Sequence, residues 1–152
     1  MEMPMTPENK AAANVVLEAL RAVEERQRDR LAQLYHPEIE FRWPPGLPYS
    51  GAFKGSGVAE MTERFSTTWL PLQPTDETRR MNPRVVAAGD NGTIVVNYIW
   101  KGLDANGRRF ETEVLADYQV QDGRLARAQM FYYDLPGVIA FLRDAKVAFP
   151  QG

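Results

Sequence analysis

The sequence predicts an α+β fold, and three observations carry that prediction. Helical spacing with capping signals fills the N-terminal part of the chain. From Arg79 onward, strand-like segments alternate with tight-turn signals. No internal period and no linker separates the two regions, so one domain is expected over residues 1–152, with 1–8 a loose N-terminal tail and 147–152 a loose C-terminal tail. Helices followed by consecutive strands pack as helices on one face of an antiparallel sheet.

Thr6-Pro7-Glu8 marks the first helix start: an N-cap hydroxyl, proline at the first helical position and an acid near the positive dipole end. Val16, Leu20 and Val23 then recur at three-to-four spacing, with Glu18, Arg21 and Glu24 turned away. Asp29 is expected to cap a second helix carrying Leu31, Leu34 and Tyr35. His36-Pro37 ends it, because the residue before proline is pushed out of the helical region. Between Glu38 and Trp43, the apolar Ile39, Phe41 and Trp43 alternate with Glu38, Glu40 and Arg42, which reads as a half-buried strand. Pro44-Pro45-Gly46-Leu47-Pro48 is too proline-rich for a central strand and reads as a rigid loop. Ser56 or Gly57 opens a third helix with Met61, Phe65 and Trp69 on its apolar face, stopped by Pro71.

Four strands are expected beyond it, at about 84–88, 93–102, 109–121 and 125–133. Asp90-Asn91-Gly92, Asp104-Ala105-Asn106-Gly107 and Asp122-Gly123 separate them, all strong turn chemistry. The last strand, through Met130, Phe131, Tyr132 and Tyr133, is apolar on both faces and so belongs at the centre of the sheet. Asp134 ahead of Leu135-Pro136 reads as the N-cap of a final helix.

Bulk properties exclude several function classes. A net charge of −2 without any block of like charges gives no footprint for nucleic acid or an anionic membrane. The chain has no cysteine and a single histidine, His36, which removes disulfides, thiolate nucleophiles and a multi-histidine zinc site. No metal and no cofactor is expected. The N-terminus lacks the pattern of a signal peptide and no apolar run is long enough for a bilayer, so a cytoplasmic protein is expected.

Four stretches carry a family resemblance in the order they occur. They are Leu34-Tyr35-His36-Pro37-Glu38-Ile39-Glu40-Phe41, Gly51-Ala52-Phe53-Lys54-Gly55-Ser56-Gly57-Val58, Gln121-Asp122-Gly123-Arg124-Leu125 and Tyr132-Tyr133-Asp134-Leu135. With them the chain resembles the nuclear transport factor 2-like superfamily, in its SnoaL-like branch of polyketide cyclases, ketosteroid isomerases and limonene epoxide hydrolases. The resemblance implies a curved antiparallel sheet forming a cone (a cystatin-like α+β barrel), with N-terminal helices packed on the concave face. It also implies a small-molecule pocket between the two and a homodimer.

The resemblance places the family's catalytic carboxylates on positions that do not carry them. The isomerase base falls on Trp43, ahead of Pro44, and the isomerase oxyanion-stabilising acid falls on Ala116. The first-helix tyrosine of those isomerases has no counterpart. The limonene epoxide hydrolase set falls on Asn97, Ile99 and Phe131, and the cyclase aspartate again on Phe131.

Alternation along residues 109–121 turns Phe110, Thr112, Val114, Ala116, Tyr118 and Val120 inward and Glu111, Glu113, Leu115, Asp117 and Gln119 outward. The two neighbouring strands are apolar on both faces. For them the family motifs imply Asn97, Ile99, Lys101, Gln129, Phe131 and Tyr133 inward. Tyr98, Trp100, Met130 and Tyr132 are then left on an outer face that pairs two copies.

These placements give Tyr133, Asn97 and Gln129 as candidate catalytic residues: the phenol donates to a developing oxyanion and the amides orient the substrate. Asp117 or Glu113 joins them if a strand register shifts by one. Phe41, Trp43, Tyr49, Met61, Phe65, Trp69, Thr112, Val114, Tyr118 and Phe131 are the candidate substrate-binding wall. The expected function is a cofactor-free enzyme of isomerase, cyclase, dehydratase or hydratase type, acting on a hydrophobic metabolite, polycyclic ones included. The alternative is a non-catalytic binding or dimerisation module of the same fold. An open cavity of several hundred Å³ favours the enzyme, a well-filled cone the module.

Overall fold

A computed structural model describes residues 5–149. Helix α1 spans Pro7–Glu24, and the Thr6 hydroxyl accepts from the Asn9 amide at 3.1 Å, so Pro7 and Glu8 belong to the helix rather than to a tail. Its buried face is Ala12, Ala13, Val16, Ala19, Leu20 and Ala22. Four of those six are alanines, which let the helix lie close against the sheet. Helix α2 (Arg28–Leu34) begins two positions earlier than the sequence suggests, with Gln27 at the N-cap and Asp29 inside the first turn.

Strand β1 (Tyr35–Trp43) starts directly after α2, so Tyr35, His36 and Pro37 are extended backbone. The short edge strand β2 (Gly51–Lys54) pairs with β1 and was not expected, because four residues between glycines carry no strand periodicity. Helix α3 (Gly57–Trp69) buries Met61 and Trp69 and runs into a 3₁₀ turn at Leu70–Leu72. A single-turn helix α4 (Asp76–Arg79) follows, closed by a Thr75–Thr78 capping box. Strands β3 (Arg84–Ala88), β4 (Thr93–Leu103), β5 (Arg109–Gln121) and β6 (Arg124–Tyr132) form the meander the turn chemistry predicts. Helix α5 (Leu135–Asp144) is capped by Asp134, whose Oδ1 accepts from the Gly137 amide at 2.9 Å.

The six strands form one curved, unclosed sheet in the order β2-β1-β6-β5-β4-β3, antiparallel except for the parallel β1–β6 pair. Bulges in the β1–β6, β3–β4 and β5–β6 ladders bend it. Helices α1 and α3 fill the concave side, and α5 closes one end, where Phe141 stacks on Phe110 at 5.5 Å. Gly102 is required there: a Cβ at that position would meet the Phe141 ring at 2.5 Å. Beyond α5, Val147 and Phe149 pack against the core and the Arg143 guanidinium sits 4.5 Å over the Phe149 ring, so this part of the expected C-terminal tail is docked. Residues 1–4 and 150–152 of the two expected tails lie outside the described residues.

The facing of β5 is as its alternation predicts, but β4 and β6 are turned over relative to the family-based expectation. Tyr98 and Tyr132 both pair with the inward Val114, whereas Asn97 and Phe131 pair with the outward Leu115. Tyr98, Trp100, Met130 and Tyr132 are therefore buried inside the cone, not on an outer dimer face. Two local features cause the inversion. In β6, Gln119 pairs with Arg127 and Val120 with Leu125, so Ala126 is an extra, bulged residue. Between β4 and β5, Asp104 and Arg108 are already joined by a backbone hydrogen bond, leaving the three-residue loop 105–107. Each changes the register by one residue, and a one-residue slip exchanges the two faces of a strand.

Candidate functional site

Cross-strand rows build the inner wall: Tyr98–Val114–Tyr132, then Val96–Ala116–Met130, then Ile94–Tyr118–Ala128. Against them stand Ala19, Leu20 and Val23 of α1 and Met61, Phe65 and Trp69 of α3. The two layers do not meet everywhere, and they leave a cavity of about 180 Å³. A dry cavity of ~150 Å³ accepts benzene, so the enclosed space takes one ring and a larger molecule extends through the mouth. The exposed lining residues Arg26, Arg28 and Leu70 mark the mouth, with Gln73 buried just inside it.

One end of the cavity is aromatic. Trp43 stacks on Phe65 at 5.2 Å and meets Tyr49 edge-on at 4.8 Å, while Trp100 meets Trp69 edge-on at 5.3 Å. Behind this wall runs a buried hydrogen-bond chain: the Trp69 indole donates to the Tyr49 hydroxyl at 2.8 Å, and the Tyr49 and Tyr132 hydroxyls share a proton contact at 2.7 Å. By contrast, the Trp43 and Trp100 indole nitrogens are buried and have no hydrogen-bond partner among the described residues.

Burial sets the ionisation of the tyrosines. It pushes the Tyr35 hydroxyl up to about 12 and pushes Tyr49, Tyr98, Tyr118 and Tyr132 up as well. For Tyr98 the neighbouring Tyr118 adds to the effect of burial. All of these hydroxyls therefore stay protonated at neutral pH and can donate. Among the described residues no aspartate, glutamate or histidine lines the cavity, so its interior offers neutral donors and no base, with Arg26 and Arg28 the charged groups of the lining.

Of the expected substrate-binding wall, Phe41, Trp43, Met61, Phe65, Trp69 and Tyr118 line the cavity. Tyr49 and Val114 are fully buried without reaching its surface, and the Thr112 hydroxyl is engaged elsewhere, accepting from the Asp134 amide at 3.0 Å. Phe131 is corrected to the outer face, 51% exposed. The expected catalytic trio is also outside. Tyr133 lies just past β6 and is 86% exposed, while Asn97 and Gln129 are half-buried on the convex side, opposite Leu115 and Asp117. The slip expected to bring Asp117 or Glu113 inward falls on β4 and β6 instead. Asp117 pairs with Arg127 at 3.0 Å and Glu113 is exposed, both on the convex face.

His36 and Arg42 keep their plain roles. The His36 Nδ1 accepts from the Glu38 amide at 3.1 Å, and the Arg42 Nε lies 3.2 Å from Glu40. Among the described residues, no three histidine, cysteine, aspartate or glutamate side chains come together as a metal site.

The SnoaL-like domain profile matches residues 16–128, which contain the second half of α1, all of α3 and every strand except the last part of β6. The chain belongs to the SnoaL-like domain family. Solved structures agree on the fold. Bal32a from a soil-derived mobile gene cassette superposes with a TM-score of 0.72 at 16% identity, covering 90% of this chain and 99% of that one. TerC, co-crystallised with polyporic acid, gives 0.69 at 18% identity over 90% and 98% of the two chains. A candidate polyketide cyclase from Xanthomonas campestris gives 0.68 at 20% identity over 89% and 98%. No curated protein matches the sequence.

Several cavity residues of this SnoaL-like chain escaped the sequence reading. Tyr98, Trp100 and Met130 were assigned to the wrong face. Gln73 lines the mouth while its Nε2 donates to the Lys101 carbonyl at 2.9 Å, and nothing in its polar, proline-flanked surroundings signals that position. Arg26 and Arg28 read as solvent-facing residues between two helices. Only the fold brings them to the opening.

Proposed function

We propose that this SnoaL-like chain binds a small, hydrophobic, ring-bearing molecule in the cone and reads its oxygen atoms with neutral hydrogen-bond donors. One observation supports the reading above others: an aromatic cavity whose wall includes two tryptophans with unpaired, buried indole N–H groups, and no carboxylate or imidazole. A buried donor without a partner costs roughly 1–3 kcal/mol, which gives each indole N–H a gain to make if a ligand oxygen reaches it. Polyporic acid, the compound crystallised with TerC, and polyketide-like phenols are natural first members of a ligand panel. In thermal-shift and calorimetric titrations, aromatic ketones and phenols should raise the melting temperature, and aliphatic compounds of equal size should not. Equal response to both groups would remove the proposal.

A second reading, an isomerase- or cyclase-type enzyme without a cofactor, is favoured by the Tyr98 and Tyr118 hydroxyls at the wall. Held protonated, they donate to a carbonyl oxygen as it gains negative charge. An enol of the substrate can then add to that carbonyl, breaking its π bond, while the enol O–H proton ends on the new alkoxide and no protein base is needed. With a turned-over substrate in hand, Tyr98→Phe and Tyr118→Phe should each lower kcat at least about tenfold while KM changes little. An unchanged kcat in both variants rejects the catalytic role.

The convex sheet face supports a homodimer through residues other than those first expected. Leu115 (45% exposed) and Phe131 pair across β5 and β6, with Tyr133 beside them, as a patch too apolar to suit a free surface.

A further inference from the structure

The mouth of the cavity carries positive charge that the protein itself does not neutralise. Arg26 closes α1 in a complete Schellman arrangement: the Gln27 amide donates to the Ala22 carbonyl at 2.8 Å and the Arg26 amide to the Val23 carbonyl at 3.1 Å. Arg26 accordingly has φ +57°, the left-handed conformation for which glycine is the usual choice. An arginine there is strained where a glycine would not be. Its Nη2 donates to the Gln73 carbonyl at 2.6 Å and the Leu70 carbonyl at 3.3 Å, which anchors the guanidinium across the opening and leaves other N–H donors unused. Arg28, two residues on at the start of α2, also lines the cavity and makes no ion pair among the described residues. Burial and, after it, the charge of Arg79 both lower the Arg26 pKa, and the Arg79 Nε is buried without a partner among the described residues.

Of the acids near in sequence, three are turned to other tasks, while Glu25 is exposed and makes no ion pair among the described residues. Glu24 accepts from the Met81 amide at 2.6 Å, Glu18 pairs with Arg30, and Glu77 holds Lys101 and Arg109. Asp29 shares the rim with Arg28 without pairing to it.

We propose that the cavity mouth is an anion seat, so that the ligand of this chain is an aromatic carboxylate whose ring enters the cone and whose carboxylate rests between Arg26 and Arg28, with Arg79 behind. The inference rests on the reading of the cavity as a ligand pocket and adds the charge class of the ligand. A guanidinium and a carboxylate form charge-assisted hydrogen bonds about twice as strong as neutral ones, and the exposed rim makes that advantage sensitive to salt.

A matched pair of probes tests it: 2-naphthoate and the uncharged 2-naphthamide, titrated calorimetrically into the full chain at pH 7. The acid should bind about tenfold more tightly than the amide at low salt, and the ratio should shrink as sodium chloride is raised. Arg28→Gln, and Arg28→Gln with Arg79→Gln, should bring the acid-to-amide ratio toward one. Arg26 is left intact, because its carbonyl contacts hold the opening together. If the amide binds as well as the acid, or the ratio survives both variants, the anion seat is wrong and the pocket reading stands. Binding of neither probe overturns both.

Discussion

Tyr49 shows how much of this core depends on single polar atoms. Its hydroxyl is the shared partner of the Trp69 indole and the Tyr132 hydroxyl, and all three groups are buried. Tyr49→Phe preserves the ring packing but orphans two buried polar groups. We expect a loss of roughly 1–3 kcal/mol in denaturant-unfolding free energy. A change below about 0.5 kcal/mol, the range of ordinary surface substitutions, would show the chain to be dispensable. The buried tyrosines also set a pH limit. Tyr35 rises to about 12 in the folded chain from about 10 when unfolded, so ionisation favours the unfolded state. That stabilisation is complete below pH ~10 and is lost as pH rises through the folded value. Burial shifts Tyr49, Tyr98, Tyr118 and Tyr132 in the same direction. Tyrosinate absorbance and loss of far-ultraviolet circular dichroism should therefore rise together above pH ~10. Full ionisation with the dichroism intact would contradict the burial of these rings.

At the scale of elements, most of the chain was legible because its local signals agree with its packing. The caps at Thr6 and Asp134, the helix from Gly57 and the β-meander all follow from short-range chemistry. Strand β5 declared its own facing because polar and apolar residues alternate along it. What could not be read was the facing of β4 and β6, which are apolar on both sides and take their orientation from their neighbours. Asp122-Gly123 looks like a two-residue hairpin turn, and it is one, since Gln121 pairs with Arg124. Continued without interruption, that register turns Gln129, Phe131 and Tyr133 inward, and only the bulge at Ala126 reverses it. No sequence signal marks an alanine as a bulge, so the candidate site was assembled from the wrong side of two strands. Deleting Ala126 should force Met130 and Tyr132 out of the core and abolish cooperative thermal unfolding, whereas Ala126→Ser should melt near the parent. A deletion variant with a native-like transition would mean that the strand has another way to keep its facing.

For the whole molecule, the curved sheet separates two apolar regions with different destinations. The concave one is filled by α1 and α3 except for the cavity; the convex one, around Leu115 and Phe131, has no helix over it among the described residues. On the dimer reading, light scattering after size exclusion should give twice the 17.2 kDa chain mass, and Phe131→Asp should return the monomer without lowering stability by more than about 1 kcal/mol. A monomeric parent would assign the patch to another use.

The three tryptophans of the chain, Trp43, Trp69 and Trp100, all stand on the cavity wall. Every indole photon therefore originates within van der Waals reach of the same small space. Intrinsic emission gives no separate view of surface and core here, and filling the cavity, drying it or opening it must each alter the whole tryptophan signal. The protein thus carries its own optical gauge of occupancy, usable in crude mixtures without a label.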